Sequence, residues 1–332
     1  MKAVPLAVTM GDPGGIGPEI ILKVVSERLF PQQASLLVLG DIGVLKGYSE
    51  LCSLPFELEV VDAPPENPQP GKAYLLQVGE PLGEGQWQPG HTNAQCGRLV
   101  GEIIERAVDL CQKGVVKAMV TAPINKGALH AACYPYPGHT EFLADLTGTE
   151  DYAMMLMGGS IRVVLVTIHV ALAEVPRLIS EEEICRIFRL THRSMVEWFG
   201  IEHPRIAVAA LNPHASEGGA FGDEEERIII PAIERLREEG FAPSGPHPAD
   251  TLFYRQKNGE FDAVVAMYHD QGLIPVKLEG FDTGVNLTLG LPIIRTSVDH
   301  GTAFEIAGKG VANPKSLAAA IETAVALSER SY

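Results

Sequence analysis

Val163-Val164-Leu165-Val166-Thr167-Ile168 is a short apolar run that ends in His169, and its side chains do not alternate regularly between apolar and polar. A strand of this composition is buried on both faces. Similar runs rich in Val, Ile and Ala occupy residues 4–10, 36–39, 118–120, 206–211 and 263–268. The sequence therefore predicts a largely parallel sheet in an α/β protein.

Helical patterns separate these runs. Pro18 suits a first helical residue, and Ser180 with Glu183 forms a capping box before a helix at 184–199. Further helices are predicted at 94–110, 223–239 and 316–327, and Pro231 should kink the second of these.

Composition limits the classes of function. A chain of 332 residues suggests about two domains. Its net charge of −16 argues against a nucleic-acid partner, because such binding depends on cationic side chains that neutralise phosphates. The five scattered cysteines favour a reducing compartment, and no apolar run approaches the roughly 20 residues of a membrane span. We expect a cytoplasmic protein that does not bind membranes.

Three histidines follow predicted strands: His169, His214 and His269 each lie at or just beyond the carboxyl end of an apolar run. Ligands of open parallel sheets bind at that edge, and imidazole is a common metal ligand. The alternative for any one of them is an ordinary loop histidine. Three in equivalent positions favour a metal site.

Other segments permit anion binding. The turn Gly11-Asp12-Pro13-Gly14-Gly15-Ile16-Gly17-Pro18-Glu19 leads into the first helix, where it is either a phosphate-binding turn or only a tight turn. Pro137-Gly138-His139-Thr140-Glu141 opens a helix at 142–146, so that it either receives an anion or only caps the helix. Lys277, Asn286 and Arg295 are polar residues in apolar surroundings, where each is a candidate ligand contact or a salt-bridge residue.

Together these motifs resemble the 4-hydroxythreonine-4-phosphate dehydrogenase (PdxA) family. The resemblance covers essentially the whole chain. It rests on the motifs at 11–19 and 137–141, on Thr121-Ala122-Pro123-Ile124-Asn125-Lys126, on Asn212-Pro213-His214-Ala215, and on Tyr268-His269-Asp270-Gln271-Gly272. Residues 14–19 and 300–310 are also similar to segments of isopropylmalate and isocitrate dehydrogenases, whose second segment wraps the adenosine of the dinucleotide.

The resemblance implies an isocitrate/isopropylmalate dehydrogenase-like α/β fold, with two α/β/α domains and an active-site cleft between them. Residues 1–130 and 296–332 would form the domain that carries the dinucleotide-binding loop. Residues 131–295 would form the central metal- and substrate-binding domain, which also forms the dimer. It further implies a homodimer whose active sites lie at the subunit interface, with metal ligands shared between partners.

The family's functional residues carry over to matching positions of this chain. The implied metal ligands are His169, His214 and His269, and the implied substrate contacts are His139, Thr140, Lys277, Asn286 and Arg295. NAD contacts are expected at His300, Gly301, Thr302, Glu305, Gly308 and Asn313. Lys277, Asp250 and Asp270 are the candidate general bases, with Lys277 first if the metal depresses its pKa; either aspartate could instead orient a ligand or cap a turn.

The reaction implied is NAD-dependent oxidation of 4-phosphooxy-L-threonine at C3, followed by decarboxylation to 3-amino-2-oxopropyl phosphate in vitamin B6 biosynthesis. Three neutral ligands suit Zn²⁺, while Co²⁺ and Mg²⁺ stay open. Glu305 should favour NAD over NADP, because a 2′-phosphate would meet its carboxylate. The alternatives are a dehydrogenase of threonate or erythronate 4-phosphate, a metal-dependent hydrolase or aldolase, and a two-domain solute-binding protein.

Overall fold

The computed structural model describes residues 3–330 as a mixed α/β fold, which confirms the predicted class. The chain divides into two compact units, which we call the N/C unit (residues 3–151 and 291–330) and the central unit (Tyr152–Gly290). Residues 131–151 and 291–295, assigned from sequence to the central domain, fall in the N/C unit. The reason is packing: helix His139–Thr147 lies against helix Ala94–Gln112, and strand Ile294–Val298 pairs with Ala118–Thr121.

The secondary-structure elements alternate along the chain. The strands are β1 Val4–Thr9, β2 Ala34–Gly40, β3 Glu59–Val61, β4 Ala73–Gln77, β5 Ala118–Thr121, β6 Ala153–Gly158, β7 Ile161–Leu165, β8 Ile206–Ala209, β9 Ser244–His247, β10 Ala263–Ala266, β11 Val285–Leu289 and β12 Ile294–Val298. The α-helices are α1 Gly17–Ser26, α2 Ile42–Leu51, α3 Ala94–Gln112, α4 Lys126–Ala131, α5 His139–Thr147, α6 Val175–Leu178, α7 Glu181–Glu197, α8 Ile230–Glu238, α9 Ala249–Lys257, α10 His269–Gly280 and α11 Lys315–Arg330. Between residues 3 and 330, no helix is both long enough and apolar enough to cross a membrane.

The N/C unit contains the strands in the order β3-β4-β2-β1-β5-β12. All of these neighbouring pairs are parallel. Strands β1, β2 and β5 correspond to predicted apolar runs, whereas β3, β4 and β12 were not predicted. Strand β1 is central, since Val8 pairs with Val38 on one side and with Val120 on the other. Helices α3 and α11 pack against it, so the apolar side chains of β1 are covered.

The central unit contains the strands in the order β11-β6-β7-β10-β8-β9. Strand β6 is antiparallel to both β11 and β7, whereas the remaining pairs are parallel. The antiparallel pairing of β6 with β7 follows from the length of their connection. Only Gly159 and Ser160 separate the two strands, and a two-residue loop can join only antiparallel strands. Gly159 has a φ of +55°, which a glycine adopts without strain.

The helix signals in the sequence correspond to observed helix ends. The Ser180 side chain accepts a hydrogen bond from the Glu183 amide at 3.2 Å and caps α7. Pro231 lies in the first turn of α8, directly after a π-helical turn at Glu225–Ile229, so the regular helix is interrupted near the proline as predicted. Helix α5 begins at His139, three residues earlier than predicted.

Candidate active site

In the turn between β1 and α1, backbone amides donate hydrogen bonds to acceptors within the protein. The Gly14 amide donates to Asp12 Oδ1 at 2.8 Å, and the Gly15 amide donates to the Asp12 carbonyl at 3.0 Å. The Ile16 amide donates to the Thr302 carbonyl at 3.0 Å. Because these donors are engaged, the structure favours a tight turn over a phosphate-binding turn at this position.

Asp12 and Gly14 fix a second segment against this turn. The Thr92 hydroxyl donates to Asp12 Oδ2 at 2.7 Å, and the Gly90 amide donates to the Gly14 carbonyl at 2.8 Å. A Cβ at Gly14 would collide with the His91 carbonyl, so only glycine allows this close approach. Burial raises the pKa of Asp12, and the bonds from Thr92 and Gly14 oppose that rise.

The segment predicted to bind the dinucleotide follows β12. It folds on itself through turns in which the Ile306 amide donates to the Ala303 carbonyl at 3.0 Å and the Lys309 amide donates to the Ile306 carbonyl at 3.2 Å. The six residues predicted to contact NAD lie along this segment: Gly301, Glu305 and Asn313 are exposed, and His300, Thr302 and Gly308 are half-buried. The Asn313 side chain is used locally, since its Oδ1 accepts from the Lys315 amide at 3.1 Å.

Arg295 lies buried on β12 and is held by a hydroxyl group. Its Nε and Nη2 donate to Thr121 Oγ1 at 3.1 and 2.8 Å. Burial lowers the pKa of Arg295 to about 10, while the nearby Glu141 opposes that shift. The guanidinium is still charged at neutral pH, so β12 carries a cation that is fixed in position and shielded from water. Such a cation is suited to bind an anionic ligand.

His139 begins α5 in the same unit. Burial, and secondly the Arg295 charge, lower the pKa of His139 well below its usual range, so its imidazole is neutral at physiological pH. Thr140 follows it in the first helical turn, where the helix dipole favours an anion. The structure thus brings His139 and Arg295 into electrostatic contact within the N/C unit.

His169 and His269 are neighbours in the central unit. The pairing of β7 with β10 continues past both strands, because the Val166 amide donates to the Ala266 carbonyl at 2.9 Å and Thr167 Oγ1 donates to the Met267 carbonyl at 2.7 Å. The imidazole centroids of His169 and His269 are 5.6 Å apart. This proximity follows from parallel register, as expected for residues beyond neighbouring strand ends.

His214 lies in an unusual loop after β8. His214, Ala215, Ser216 and Glu217 all have positive φ angles, of 53°, 52°, 60° and 44°. Each such non-glycine residue costs about 1–2 kcal/mol, and conformations of this kind are concentrated at functional sites. The buried Glu225 fixes the start of the loop, where its Oε1 accepts from the Leu211 and Asn212 amides at 2.8 and 2.7 Å.

The Gln271 side chain bonds to the chain at the ends of β10 and β8, the strands that precede His269 and His214. Its Oε1 accepts from the Met267 amide, and its Nε2 donates to the Ala210 carbonyl, both at 2.7 Å. The side chain is buried, so both bonds are shielded from water. Gln271 therefore fixes the chain just before His269 relative to the chain that leads into the His214 loop.

The predicted general bases have different environments. Asp270 Oδ1 lies 2.7 Å from His269 Nδ1, whereas Asp250 is exposed in the first turn of α9. Lys277 is in the last turn of α10, and its Nζ lies 5.6 Å from the centroid of the Phe281 ring.

Several buried polar atoms have no hydrogen-bond partner in the described residues. Among side chains, these are Thr9 Oγ1, His139 Nε2, Gln256 Oε1, Asn286 Oδ1 and His300 Nε2. Buried polar groups nearly always have a partner, so each of these atoms is expected to bond to a group outside the described residues, such as a water molecule or a ligand. Three of the five belong to residues predicted from sequence to contact substrate or cofactor.

The three predicted metal ligands do not form a cluster by themselves. His169 and His269 are close together, while the described ring contact of His214 is with Phe221, at 6.1 Å between centroids. Across residues 3–330, no three or more His, Cys, Asp or Glu side chains are grouped closely enough to hold a metal ion. The three-histidine metal site stays a prediction.

The sequence reasoning missed three supporting residues: Thr121, Gln271 and Glu225. Thr121 and Gln271 lie inside the family motifs at 121–126 and 268–272, which indicate that these segments matter but not which atoms the two side chains bond. Glu225 is one of four successive acidic residues, Asp223 to Glu226, and nothing in that run distinguishes the one that is buried.

Comparison with known families identifies the chain. Residues 32–324 match the family described as "Pyridoxal phosphate biosynthetic protein PdxA". The chain belongs to the PdxA family. The family resemblance of its motifs is thereby confirmed.

Similar PdxA-family proteins are dehydrogenases by name. The 4-hydroxythreonine-4-phosphate dehydrogenase of Desulfosudis oleivorans is 50% identical over 322 residues, which cover 96% of this chain and 95% of that protein. The D-threonate 4-phosphate dehydrogenase of Cupriavidus necator is 46% identical over 327 residues, covering 98% and 97%. This PdxA-family chain is therefore an oxidoreductase.

A solved PdxA-family structure has the same fold. The crystal structure of 4-hydroxythreonine-4-phosphate dehydrogenase from Klebsiella pneumoniae matches with a TM-score of 0.89 at 44% sequence identity. The match covers 98% of this chain and 100% of that one. The mixed α/β architecture is thus that of the PdxA family.

Proposed function

We propose that this chain oxidises 4-phosphooxy-L-threonine at C3 with NAD and then decarboxylates the product to 3-amino-2-oxopropyl phosphate, a step of pyridoxal 5′-phosphate biosynthesis. The observation that carries the proposal is the set of unpartnered buried atoms. His139 Nε2, Asn286 Oδ1 and His300 Nε2 lack partners, and all three residues occupy positions assigned by family resemblance to substrate or cofactor.

The chemistry of the N/C unit suits the anionic end of such a substrate. Arg295 offers a guanidinium whose position is fixed by Thr121, and the neutral His139 adds a hydrogen-bonding nitrogen without a second charge. Thr140 adds a hydroxyl at the N-terminus of α5. In the central unit, Lys277 and Asn286 complete the proposed set of substrate contacts.

His169, His214 and His269 are proposed to hold a divalent cation, with ligands shared between two subunits. The donor set fits, because three neutral imidazoles suit Zn²⁺ and also accept Co²⁺, whereas Mg²⁺ prefers oxygen. When bound, the ion supplies Lewis-acid polarisation to the C3 hydroxyl and to the keto acid that loses CO₂. Asp270 Oδ1 lies 2.7 Å from His269 Nδ1, and a hydrogen bond there would leave Nε2 as the nitrogen that could ligate the ion.

Removal of the C3 hydroxyl proton requires a base. The contact of Asp270 with His269 favours an orienting role for that carboxylate, so Lys277 and Asp250 are the stronger candidates. We rank Lys277 first, because it also belongs to the proposed substrate contacts.

NAD is proposed to bind along His300, Gly301, Thr302, Glu305, Gly308 and Asn313. The fit rests on the unpartnered His300 Nε2, the exposed Glu305 carboxylate and the left-handed backbone at Gly308, whose φ is +73°. When bound, NAD accepts the hydride from C3. Glu305 would accept hydrogen bonds from ribose hydroxyls and repel a 2′-phosphate, so NAD should be preferred over NADP.

A homodimer is supported by an exposed apolar stripe formed by Ile274 and Leu278 of α10 and by Phe281, which directly follows the helix. Ile274, Leu278 and Phe281 are 60%, 80% and 76% exposed. Their spacing places them on one side of the helix. Grouped exposed side chains of this size are typical of an interaction surface.

A second candidate substrate is D-threonate 4-phosphate, in which a hydroxyl replaces the C2 amino group. It is favoured by the 46% identity to the Cupriavidus necator enzyme, which is close to the 50% identity to the Desulfosudis oleivorans enzyme. The two substrates share the phosphate and the C3 hydroxyl. The described contacts therefore suit both.

The test is NADH formation by the purified enzyme, with Zn²⁺, Co²⁺ or Mg²⁺ present. We expect 4-phosphooxy-L-threonine to give a higher kcat/KM than D-threonate or D-erythronate 4-phosphate; a higher value for either acid would reassign the substrate. His214→Ala should lower both metal content and turnover, with His203→Ala, at an exposed site after α7, as the matched control. Unchanged metal content in His214→Ala would remove the proposed ligand set.

A further inference from the structure

A buried ion pair on α1 contacts the segment proposed to bind NAD. Lys23 Nζ donates to Glu19 Oε1 at 3.0 Å, to the Gly310 carbonyl at 2.9 Å and to the Ala312 carbonyl at 2.7 Å. Glu19 Oε1 also accepts from the Ala312 amide at 2.7 Å. Glu19 is fully buried, and Lys23 is only 8% exposed.

The geometry of this pair is strongly restricted. Glu19 and Lys23 lie one helical turn apart on α1, so the helix backbone fixes their relative position. An ammonium has three donors, and the three described bonds of Lys23 use all of them. A buried ion pair is weak evidence for stability, since apolar side chains often serve as well, but it specifies one arrangement of the groups that it bonds.

The same helix also holds the other end of the segment. The Ile16 amide, directly before α1, donates to the Thr302 carbonyl at 3.0 Å. Residues 303–309 therefore lie between two attachments, one at Thr302 and the other at Gly310 and Ala312. Side chains between and beside these attachments face solvent, including Glu305, Lys309 and Val311.

We propose that Glu19 and Lys23 are positioning residues for the dinucleotide. They hold the backbone of Gly310 and Ala312 in the conformation that receives the adenosine half of NAD, and they do not touch the cofactor. This inference rests on the proposed NAD site. A loop fixed before binding loses less conformational entropy on binding, so the ion pair should contribute to NAD affinity and not to the chemical step.

The test compares wild type with the double variant Glu19→Gln/Lys23→Met. Removal of both charges avoids leaving one buried without a partner, which would endanger folding. Lys72→Met is the matched control, because it removes a lysine from the exposed Lys72–Glu59 ion pair of the same unit. All three proteins are assayed for NAD affinity by calorimetry, for KM and kcat, and for amide hydrogen exchange of residues 303–313 without NAD.

In the double variant we expect faster hydrogen exchange in residues 303–313 and an increase of about tenfold in the Kd and KM for NAD. The kcat at saturating NAD and the KM for the phosphorylated substrate should change little, which a general loss of structure would not allow. Unchanged exchange and NAD affinity would overturn the inference alone. Failure of wild type to bind NAD would overturn the proposed cofactor site, and the inference with it.

Discussion

The His139 imidazole is buried and is influenced by a positive charge. Its Nε2 has no hydrogen-bond partner in the described residues, and the charge that acts on it is the guanidinium of Arg295. Both features disfavour protonation, so burial and the neighbouring cation lower the pKa of His139 well below its usual range. A neutral imidazole beside a fixed guanidinium suits the recognition of an anion.

This shift predicts a pH dependence of stability. Below about pH 6.5 the unfolded chain protonates His139 while the folded chain does not, so the free energy of unfolding should fall as the pH falls from there towards the folded pKa. His139→Gln should lose less stability than wild type between about pH 8 and about pH 5.5 in thermal unfolding. His203→Gln, at an exposed site, is the control; equal losses in His139→Gln and wild type would contradict the prediction.

The sequence indicates the roles of some single residues, such as Asp270, but not those of others, such as Gln271. The motif around His269 marked Asp270 as a possible orienting group, and the structure brings it to His269 Nδ1. The same motif contains Gln271, whose two buried bonds were not predicted, because they depend on Met267 and Ala210 lying on different strands. Side-chain partners far apart in sequence become visible only when the strands are paired.

Helix α10 packs closely against its sheet. Gly272 faces β7 and β10, where a Cβ would lie 2.6 Å from Val163 Cγ1 and 2.8 Å from Leu165 Cδ2. Leu273 and Val276 of the same helix belong to the core that contains Val163 and Leu165. The absence of a side chain at Gly272 therefore allows α10 to pack closely against β7.

Gly272→Ala should lower the free energy of unfolding. Overpacking costs about 1–3 kcal/mol, and it is opposed by the gain of about 1 kcal/mol when Ala replaces Gly within a helix. Urea unfolding with matched m-values would measure the difference. Gly301→Ala is the control, since a Cβ there meets nothing within 4 Å. A Gly272→Ala protein as stable as wild type would show that the contact relaxes freely.

The strands and their pairing were only partly predictable from the sequence. The unbroken apolar runs correctly indicated the parallel strands β1, β2, β5, β7, β8 and β10. The strands β3, β4, β6, β9, β11 and β12 were missed, although Gly159-Ser160 is a hairpin signal between the apolar runs of β6 and β7. Short apolar segments show only weak periodicity, so such strands can be recognised only from the turn residues beside them.

For the whole molecule, the exposed stripe on α10 predicts a dimer that a single charge would weaken. Leu278→Glu should sediment as a monomer at concentrations where wild type is dimeric, because burial of the new carboxylate would be costly. Leu51→Glu, at a residue of α2 that is 58% exposed, is the control and should behave as wild type. An unchanged dimer in Leu278→Glu would exclude this stripe from the interface.

The sequence by itself determined the α/β class, the family and the positions of the residues proposed to form the site, because apolar periodicity and short motifs are local properties of the chain. Only the tertiary structure decided that His169 and His269 are neighbours, that Thr121 holds Arg295, and that Glu19 and Lys23 hold residues 310–312. These arrangements join segments separated by about one hundred residues or more. Their formation depends on strand order, register and burial of polar groups, which no local pattern specifies.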